Sequence, residues 1–315
     1  MASHLQNGNI IIFESTVYPG AMKEECAPLL SEISGLGFNT DFHVGYSPER
    51  INPGDSDYSL STIVKVTPGS TSEAAQVVDE LCKSIIRAGT YLTSSIKVAE
   101  AAKVIENTQR DLNNTLANEL AILFDKLGID TQEMLQAVGS EWSFLPFTPG
   151  LIGGDCIGVA PYYLACKAQQ VGYHPDIILT GRRINDDMGF YVAERLVKLM
   201  LSKRIHTIDS RILIMELAFK ENCSDSRNNR VVDIIDTLQS FHSHIAVYDP
   251  WIDKDEPVLL ISELEENCYD AVIVAVAHDR FKELGIDGIR KLIKDKSAIF
   301  DVKHTFNSKE VDGSL

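Results

Sequence analysis

The stretch RILIMELAFKENCSDSRNNRVVDIIDTLQSFHSHIAVYD, Arg211 to Asp249, decides the fold class. Ile212 to Met215 is an apolar run without polar alternation, as expected of a strand buried on both faces. A polar loop, Phe219 to Asn228, follows it, and Val231 to Ser240 then carries apolar residues at helical spacing. Ile245 to Tyr248 is a second β-branched run. Strand, loop, helix and strand in succession are the unit of a parallel, doubly wound α/β sheet. Further runs at Ala271 to Val276 and Ala298 to Val302 extend that sheet toward the C-terminus.

Toward the N-terminus the pattern changes. Ile96 to Leu127 is one long periodic stretch with neither Pro nor Gly, closed by Gly128, and predicts a long helix. A helix over Thr131 to Val138 follows, then a loop rich in aromatics, Pro and Gly (Trp142 to Gly158), then helices over Tyr162 to Val171 and Asn185 to Ser202. In the last of these, the stripe Ile184, Met188, Val192, Leu196 and Leu199 exceeds what one small domain needs to bury and predicts self-association. Ahead of Ser95, strands are expected at Asn9 to Phe13, His43 to Tyr46 and Thr62 to Val66, with helices at Met22 to Ile33 and Ser72 to Ala88. This part reads as the back half of an α/β domain, opening on a strand with no helix ahead of it. The expected order is a partial α/β unit (1–93), an all-helical connector (94–204) and a complete α/β domain (205–315).

A chain of 315 residues has room for two or three cores. Its 45 acidic against 29 basic residues, a formal net charge of -16, argue against nucleic acid as a partner. No run reaches the ~18–20 apolar residues of a membrane span, so no membrane partner is expected. Six cysteines without C-x-x-C spacing, and no basic stretch ahead of Ile10 to Phe13, predict a cytoplasmic protein.

Three groups of residues could carry chemistry. Pro149 to Gly158 sets Cys156 among four glycines just before a helix, where close backbone approach and the helix dipole favour a thiolate nucleophile; an inert thiol in a tight loop is the alternative. Lys103 and Asn107 stand four apart on the long helix, and a lysine beside a carboxamide can hold an oxyanion. Read from spacing alone, a solvated helix face is the preferred reading. The loops Glu14 to Gly20, Ser47 to Asp55 and Phe219 to Asn228 each follow a strand, where ligands of α/β sheets bind, which singles out Thr16, Glu49, Lys220 and Arg227. Turn chemistry explains many of the same residues.

Taken together, Ser15-Thr16-Val17, Ser47 to Gly54, Ala99 to Asn107 (AEAAKVIEN), Gly153-Gly154-Asp155-Cys156, Gly181 to Asp186 and Phe219 to Asn228 resemble the UDP-glucose/GDP-mannose dehydrogenase family of nucleotide-sugar 6-dehydrogenases over nearly the whole chain. The wording is closest to the branch acting on UDP-N-acetylglucosamine or UDP-N-acetylgalactosamine for bacterial surface polysaccharides. The resemblance implies Rossmann-like terminal domains, a UDP-sugar as partner, NAD as cofactor and a four-electron oxidation of the sugar C6 alcohol to a carboxylate. It implies Cys156 as the nucleophile that captures the aldehyde as a thiohemiacetal and carries the later thioester. Lys103 and Asn107 would stabilise oxyanions, and Thr16 and Glu49 would position water and assist proton transfer. Phe144, Leu145 and Lys220 would meet the nucleotide sugar, and Arg227 the cofactor. A homodimer, or a heterodimer with an intact paralogue, is implied as well; no metal is.

The chain departs from the family at several points. It contains no G-x-G-x-x-G string; its nearest spacing, Gly35-Leu36-Gly37, follows no strand. An N-terminally truncated member with weak NAD binding is therefore expected. Asp155 and Ala160 stand where the branch has His and Asp, so a carboxylate opposes the neighbouring thiolate and an acid–base group is lost. Glu216 and His304 each replace a glycine. The expectation is an impaired dehydrogenase, the alternative a non-catalytic binding or regulatory partner of an intact paralogue.

Overall fold

The computed structural model describes residues 2–51, 58–252 and 260–315. They form two compact units, one of Met1–Gln109 with Val159–Pro175, the other of Arg110–Gly158 with Asp176–Leu315.

In the first unit, β1 (Asn9–Phe13) pairs in parallel with β2 (Phe42–Tyr46), and β3 (Lys65–Val66) with β4 (Thr90–Tyr91). A π-helical turn, Met22–Cys26, runs into α1 (Ala27–Ser34), and α2 (Ser72–Ile85) starts at Thr71, whose side chain accepts the Ala74 N–H. Phe42, Val44 and Tyr46 of β2 are fully buried against Met22, Ala27 and Leu30. The strand expected at Thr62 to Val66 is shorter than its β-branched content suggests. Thr62 is instead tied into a turn, where its N–H and hydroxyl both donate to Ser59 O.

The long helix α3 (Ile96–Leu127) is followed by α4 (Thr131–Val138), α5 (Asp155–Gln170) and α6 (Asp176–Ser202). Two starts differ from expectation. α5 begins seven residues before Tyr162, so Cys156 lies in its first turn and not ahead of it; the helix runs through Pro161 at the loss of one backbone bond. α6 begins nine residues before Asn185, because Gly181 lets it approach α3: a Cβ there would lie 2.6 Å from Leu112 Cδ2.

In the second unit a wholly parallel sheet has the order β6-β5-β7-β8-β9, formed by β5 (Arg211–Met215), β6 (His244–Tyr248), β7 (Tyr269–Val274), β8 (Ile293–Asp301) and β9 (Gly313–Ser314). In order of sequence this is 2-1-3-4-5, a doubly wound topology whose switch point lies between β5 and β7. Ile212 and Ile214 pack on one side with α6 and with α7 (Val231–Ser240). Leu213 and Met215 face the other side with Phe281 and Ile289 of α8 (Asp279–Leu292), which accounts for the unbroken apolar run. The α6 stripe is part of this core. Met188, Val192 and Leu196 are fully buried within it, while Ile184 and Leu199 are half-buried.

Candidate active site

The first unit holds Thr16, Glu49, Lys103 and Asn107. Beyond the ends of β1 and β2 the two polar loops run side by side. Ser47 N–H donates to Phe13 O (2.9 Å), Glu49 N–H to Glu14 O (3.0 Å), and the Tyr46 hydroxyl to Ser15 O (3.0 Å). Lys65, buried beneath them, donates to Glu14 Oε1 (3.0 Å) and Ser47 O (3.2 Å). Thr16 is half-buried. Glu49 is exposed and its carboxylate turns back on its own loop, accepting from Arg50 N–H (2.6 Å) and Ile51 N–H (2.5 Å). Residues Asn52 to Asp55 of the same motif lie outside the described residues.

Lys103 and Asn107 do not form a solvated face: both are buried. They share one side of α3 with Glu100, at helical steps of three and seven. Glu100, which the sequence reading did not single out, accepts from Gly20 N–H (2.5 Å) and Met22 N–H (2.8 Å), placing this side of α3 at the loop that follows β1. Burial pushes its carboxyl above the usual range, against the pull of those two amides. Glu106 is exposed and pairs with Lys103 at 3.9 Å.

The second unit holds Phe144, Leu145, Cys156, Lys220 and Arg227. Here the cysteine loop and the loop after β5 are built together. Gly154 N–H donates to Asn228 O (3.1 Å), and Asn228 Nδ2 to Gly154 O (3.3 Å). A Cβ on Gly153 would lie 2.8 Å from Asn228 O, and one on Gly154, whose φ is +77°, 2.9 Å from Phe219 Cδ2. Glycine at both positions is therefore a requirement of this close approach. At the base of the cysteine loop, Gly150 exchanges two hydrogen bonds with the Asn118 carboxamide (2.8 and 3.1 Å).

Cys156 is exposed on the first turn of α5. Its neighbour Asp155 does not stand alone, since Arg227 Nη1 lies 3.5 Å from its carboxylate and offsets its charge. Arg227 also grips Asp225 through Nε (2.9 Å) and Nη2 (2.6 Å), which holds the Asp225 carboxyl below its ordinary range. Lys220 is half-buried on the same loop; Phe144 is half-buried and Leu145 exposed in the loop between α4 and α5. Asn229 Oδ1 accepts Val231 N–H and Val232 N–H and so caps α7 at the loop's far end.

Residues 1–86, 97–187 and 213–308 match the NAD binding, central and UDP binding domains of the UDP-glucose/GDP-mannose dehydrogenase family. A UDP-N-acetyl-D-glucosamine 6-dehydrogenase of Salmonella typhi is 52% identical over 316 positions, covering 99% of this chain and 74% of that protein. One of Pseudomonas aeruginosa is 54% identical over 313 positions, covering 98% and 74%. Among solved structures, a UDP-D-ManNAc dehydrogenase from Pyrococcus horikoshii superposes with a TM-score of 0.85 at 28% identity, covering 98% of this chain and 72% of that one.

Proposed function

The chain belongs to the UDP-glucose/GDP-mannose dehydrogenase family, and on that premise we propose that it takes a UDP-N-acetylhexosamine and presents the sugar C6 to Cys156. The observation that carries this reading is the construction of the cysteine loop and the Phe219 to Asn228 loop as one piece through Gly153, Gly154 and Asn228. A ligand lying along the second loop then reaches the first turn of α5. The relatives named for UDP-N-acetyl-D-glucosamine support the choice of sugar.

Each proposed role follows from chemistry. The Cys156 thiol adds to a C6 aldehyde, forming the Sγ–C6 bond while its proton passes to the aldehyde oxygen. At the thioester stage, water adds to C6, the Sγ–C6 bond breaks and the thiol returns with a carboxylate product. Lys103 and Asn107, buried and therefore in a medium where charge is strongly felt, suit the oxyanions of both steps. Thr16 and Glu49 serve water and protons at the ends of β1 and β2. Phe144, Leu145 and Lys220 receive the nucleotide sugar, with 1–93, 94–204 and 205–315 as the working divisions.

The C6 alcohol must lose a hydride and a proton to become the aldehyde, and the thiohemiacetal the same again to become the thioester; NAD+ would accept each hydride when bound, one NAD+ for each oxidation, with Arg227 near its nicotinamide end. The residues described fit its pyrophosphate poorly. The G-x-G spacing Gly35-Leu36-Gly37 is a helix end: Gly35 at φ +73° caps α1 by donating to Ser31 O (2.9 Å). Oxidation is proposed to be further impaired by Asp155 and Ala160.

Calorimetry on the 315-residue polypeptide tests the reading. UDP-N-acetylglucosamine is expected to bind, and NAD+ to show no dissociation constant at or below ~100 μM, about −5.5 kcal/mol. Absence of UDP-sugar binding would remove the basis of the proposal. An NADH-production assay with UDP-glucose, UDP-N-acetylglucosamine and UDP-N-acetylgalactosamine then ranks the sugars.

A further inference from the structure

Glu216 stands where the family resemblance puts a glycine, and its backbone shows why glycine suits: φ is +95°, a region that residues with a Cβ adopt at a cost. Its carboxyl is fully buried. The residues around it come from three neighbouring strand ends. Glu216 follows β5, Asp249 follows β6, and His278 lies just beyond β7 at the start of α8, all buried. His278 Nε2 is 2.7 Å from Glu216 Oε1 and 3.8 Å from Asp249 Oδ1. Trp251 stacks on the imidazole at 5.8 Å, and Phe281 meets it edge-on at 5.5 Å.

Two carboxylates and a histidine could hold a divalent cation, but the other face of the ring argues otherwise. Asn222 N–H donates to His278 Nδ1 at 2.6 Å. An Nδ1 that accepts leaves the ring proton on Nε2, the nitrogen that lies 2.7 Å from Glu216 Oε1, and a cation would need that lone pair. Asp249 is likewise engaged: it accepts from Leu217 N–H (2.9 Å), Ala218 N–H (3.0 Å) and Trp251 N–H (2.8 Å). Asn222 belongs to the Phe219 to Asn228 loop and offers Nδ1 two faces, its N–H at 2.6 Å and its side-chain Oδ1 at 3.3 Å.

We propose that His278, oriented by Glu216, is the positioning residue of the Phe219 to Asn228 loop: unprotonated at Nδ1 it holds the Asn222 N–H, and protonated there it turns to the Asn222 side-chain oxygen. This rests on the reading that the loop receives the nucleotide sugar, so ligand affinity follows the state of a buried imidazole. The groups facing the ring are Glu216 and Asp249, with Glu221, Asp279 and Lys282 at the periphery; Lys282 pairs with Asp279 (3.0 Å) and Glu221 (3.7 Å). Burial raises the Glu216 carboxyl to about 8. Burial alone would lower His278, but Asp249 and Glu216 outweigh it and lift the imidazole to about 9. Both groups hold protons more tightly folded than unfolded. Their stabilisation is thus complete at low pH and is lost as pH rises through about 8 to 9.

The chain has two tryptophans, so Trp142→Phe leaves Trp251 as the sole indole and a reporter on His278. Its emission is expected to titrate with a midpoint above the 6.5 of free imidazole, which belongs to the coupled His278 and Glu216 pair. Glu216→Gln should lower that midpoint by at least about one pH unit, tenfold in proton affinity. Asn222→Ala, which keeps the amide and removes the oxygen, should lower it too, and decides the matter if the first variant does not fold. UDP affinity should change across the same midpoint, whereas His278→Gln retains only the ligand's own titration. The proposal is overturned by a midpoint that neither variant moves, or by identical pH dependence of UDP affinity in His278→Gln and the parent. Zn2+ binding that abolishes the transition and needs Glu216 would also overturn it. If UDP binds at no pH, the proposed function fails. The hydrogen-exchange protection of the Asn222 amide then decides the switch: loss below the midpoint supports it, and constant protection overturns it.

Discussion

Turnover of UDP-N-acetylglucosamine, the substrate proposed above, is expected to rise by about 10²–10⁴-fold when Ala160→Asp is introduced into this chain carrying a strand, G-x-G-x-x-G turn and helix fused ahead of Met1. Ala160 lies four residues after Cys156 on α5, so both project from one side of that helix. Its methyl is buried and can neither take nor give a proton. A carboxylate there can accept a proton from the water that attacks the thioester, and burial would raise its pKa toward the working pH, as a general base requires. Adding Cys156→Ala should abolish the gain. Steady-state NADH formation at saturating sugar measures the effect, and unchanged turnover in a folded Ala160→Asp protein would show that this position is tolerant.

Asp111→Ala lowers the stability of the second unit by about 3–5 kcal/mol, on the order of 10 °C in melting temperature. Arg182 and Asp111 form a fully buried ion pair, Nη1 to Oδ1 at 2.5 Å, and Arg182 also bonds Asp186. Asn185 Nδ2 donates to Asp111 Oδ1 (2.7 Å) and to Thr115 Oγ1 (2.9 Å), while Asn118 Nδ2 donates to Asn185 Oδ1 (2.8 Å). Burial pushes the Asp111 carboxyl up against the pull of Arg182 and the Asn185 hydrogen bond, a sign that the carboxylate bears a desolvation cost that these contacts offset. Removing Asp111 takes the fully buried carboxylate from beside a fully buried guanidinium. Because Asn118 also holds Gly150 at the base of the cysteine loop, Cys156 alkylation should change in the same variant. Thermal unfolding checks the first effect, and a melting temperature within a degree of the parent's would contradict it.

The C-terminal sheet was legible because Ile212 to Met215 is buried on both faces, which writes an unbroken apolar run into the sequence. α8 was not. Gly285, at φ +67°, kinks it, and Gly288 follows within one turn, so no clean helical period survives in DRFKELGIDGIRKL. The start of α5 was hidden by Gly158 and Pro161, both ordinarily signs of a loop. Lys103 and Asn107 could be found as residues but not as a buried pair, since Glu100 on the same side of α3 is tied to a loop about eighty residues earlier, which spacing along the helix cannot show. In the Gly181 to Asp186 motif, the glycine permits the close approach to α3 that lets Arg182 reach Asp111. The Glu216, Asp249 and His278 cluster had no sequence signal beyond Glu216 standing in a glycine position. Its members meet only because β5 lies between β6 and β7.

The central claim, that Cys156 and the Phe219 to Asn228 loop form one nucleotide-sugar site, is tested most directly by the alkylation rates of individual cysteines with and without UDP-N-acetylglucosamine. Cys156 and Cys166 are both exposed, so Cys166 serves as an internal control in the same molecule. Peptide mass spectrometry after timed iodoacetamide treatment should show saturating ligand slowing Cys156 about tenfold or more, a differential of about 1.4 kcal/mol, with Cys166 unchanged. Equal rates at Cys156 with and without a ligand that calorimetry shows to be bound would contradict the account.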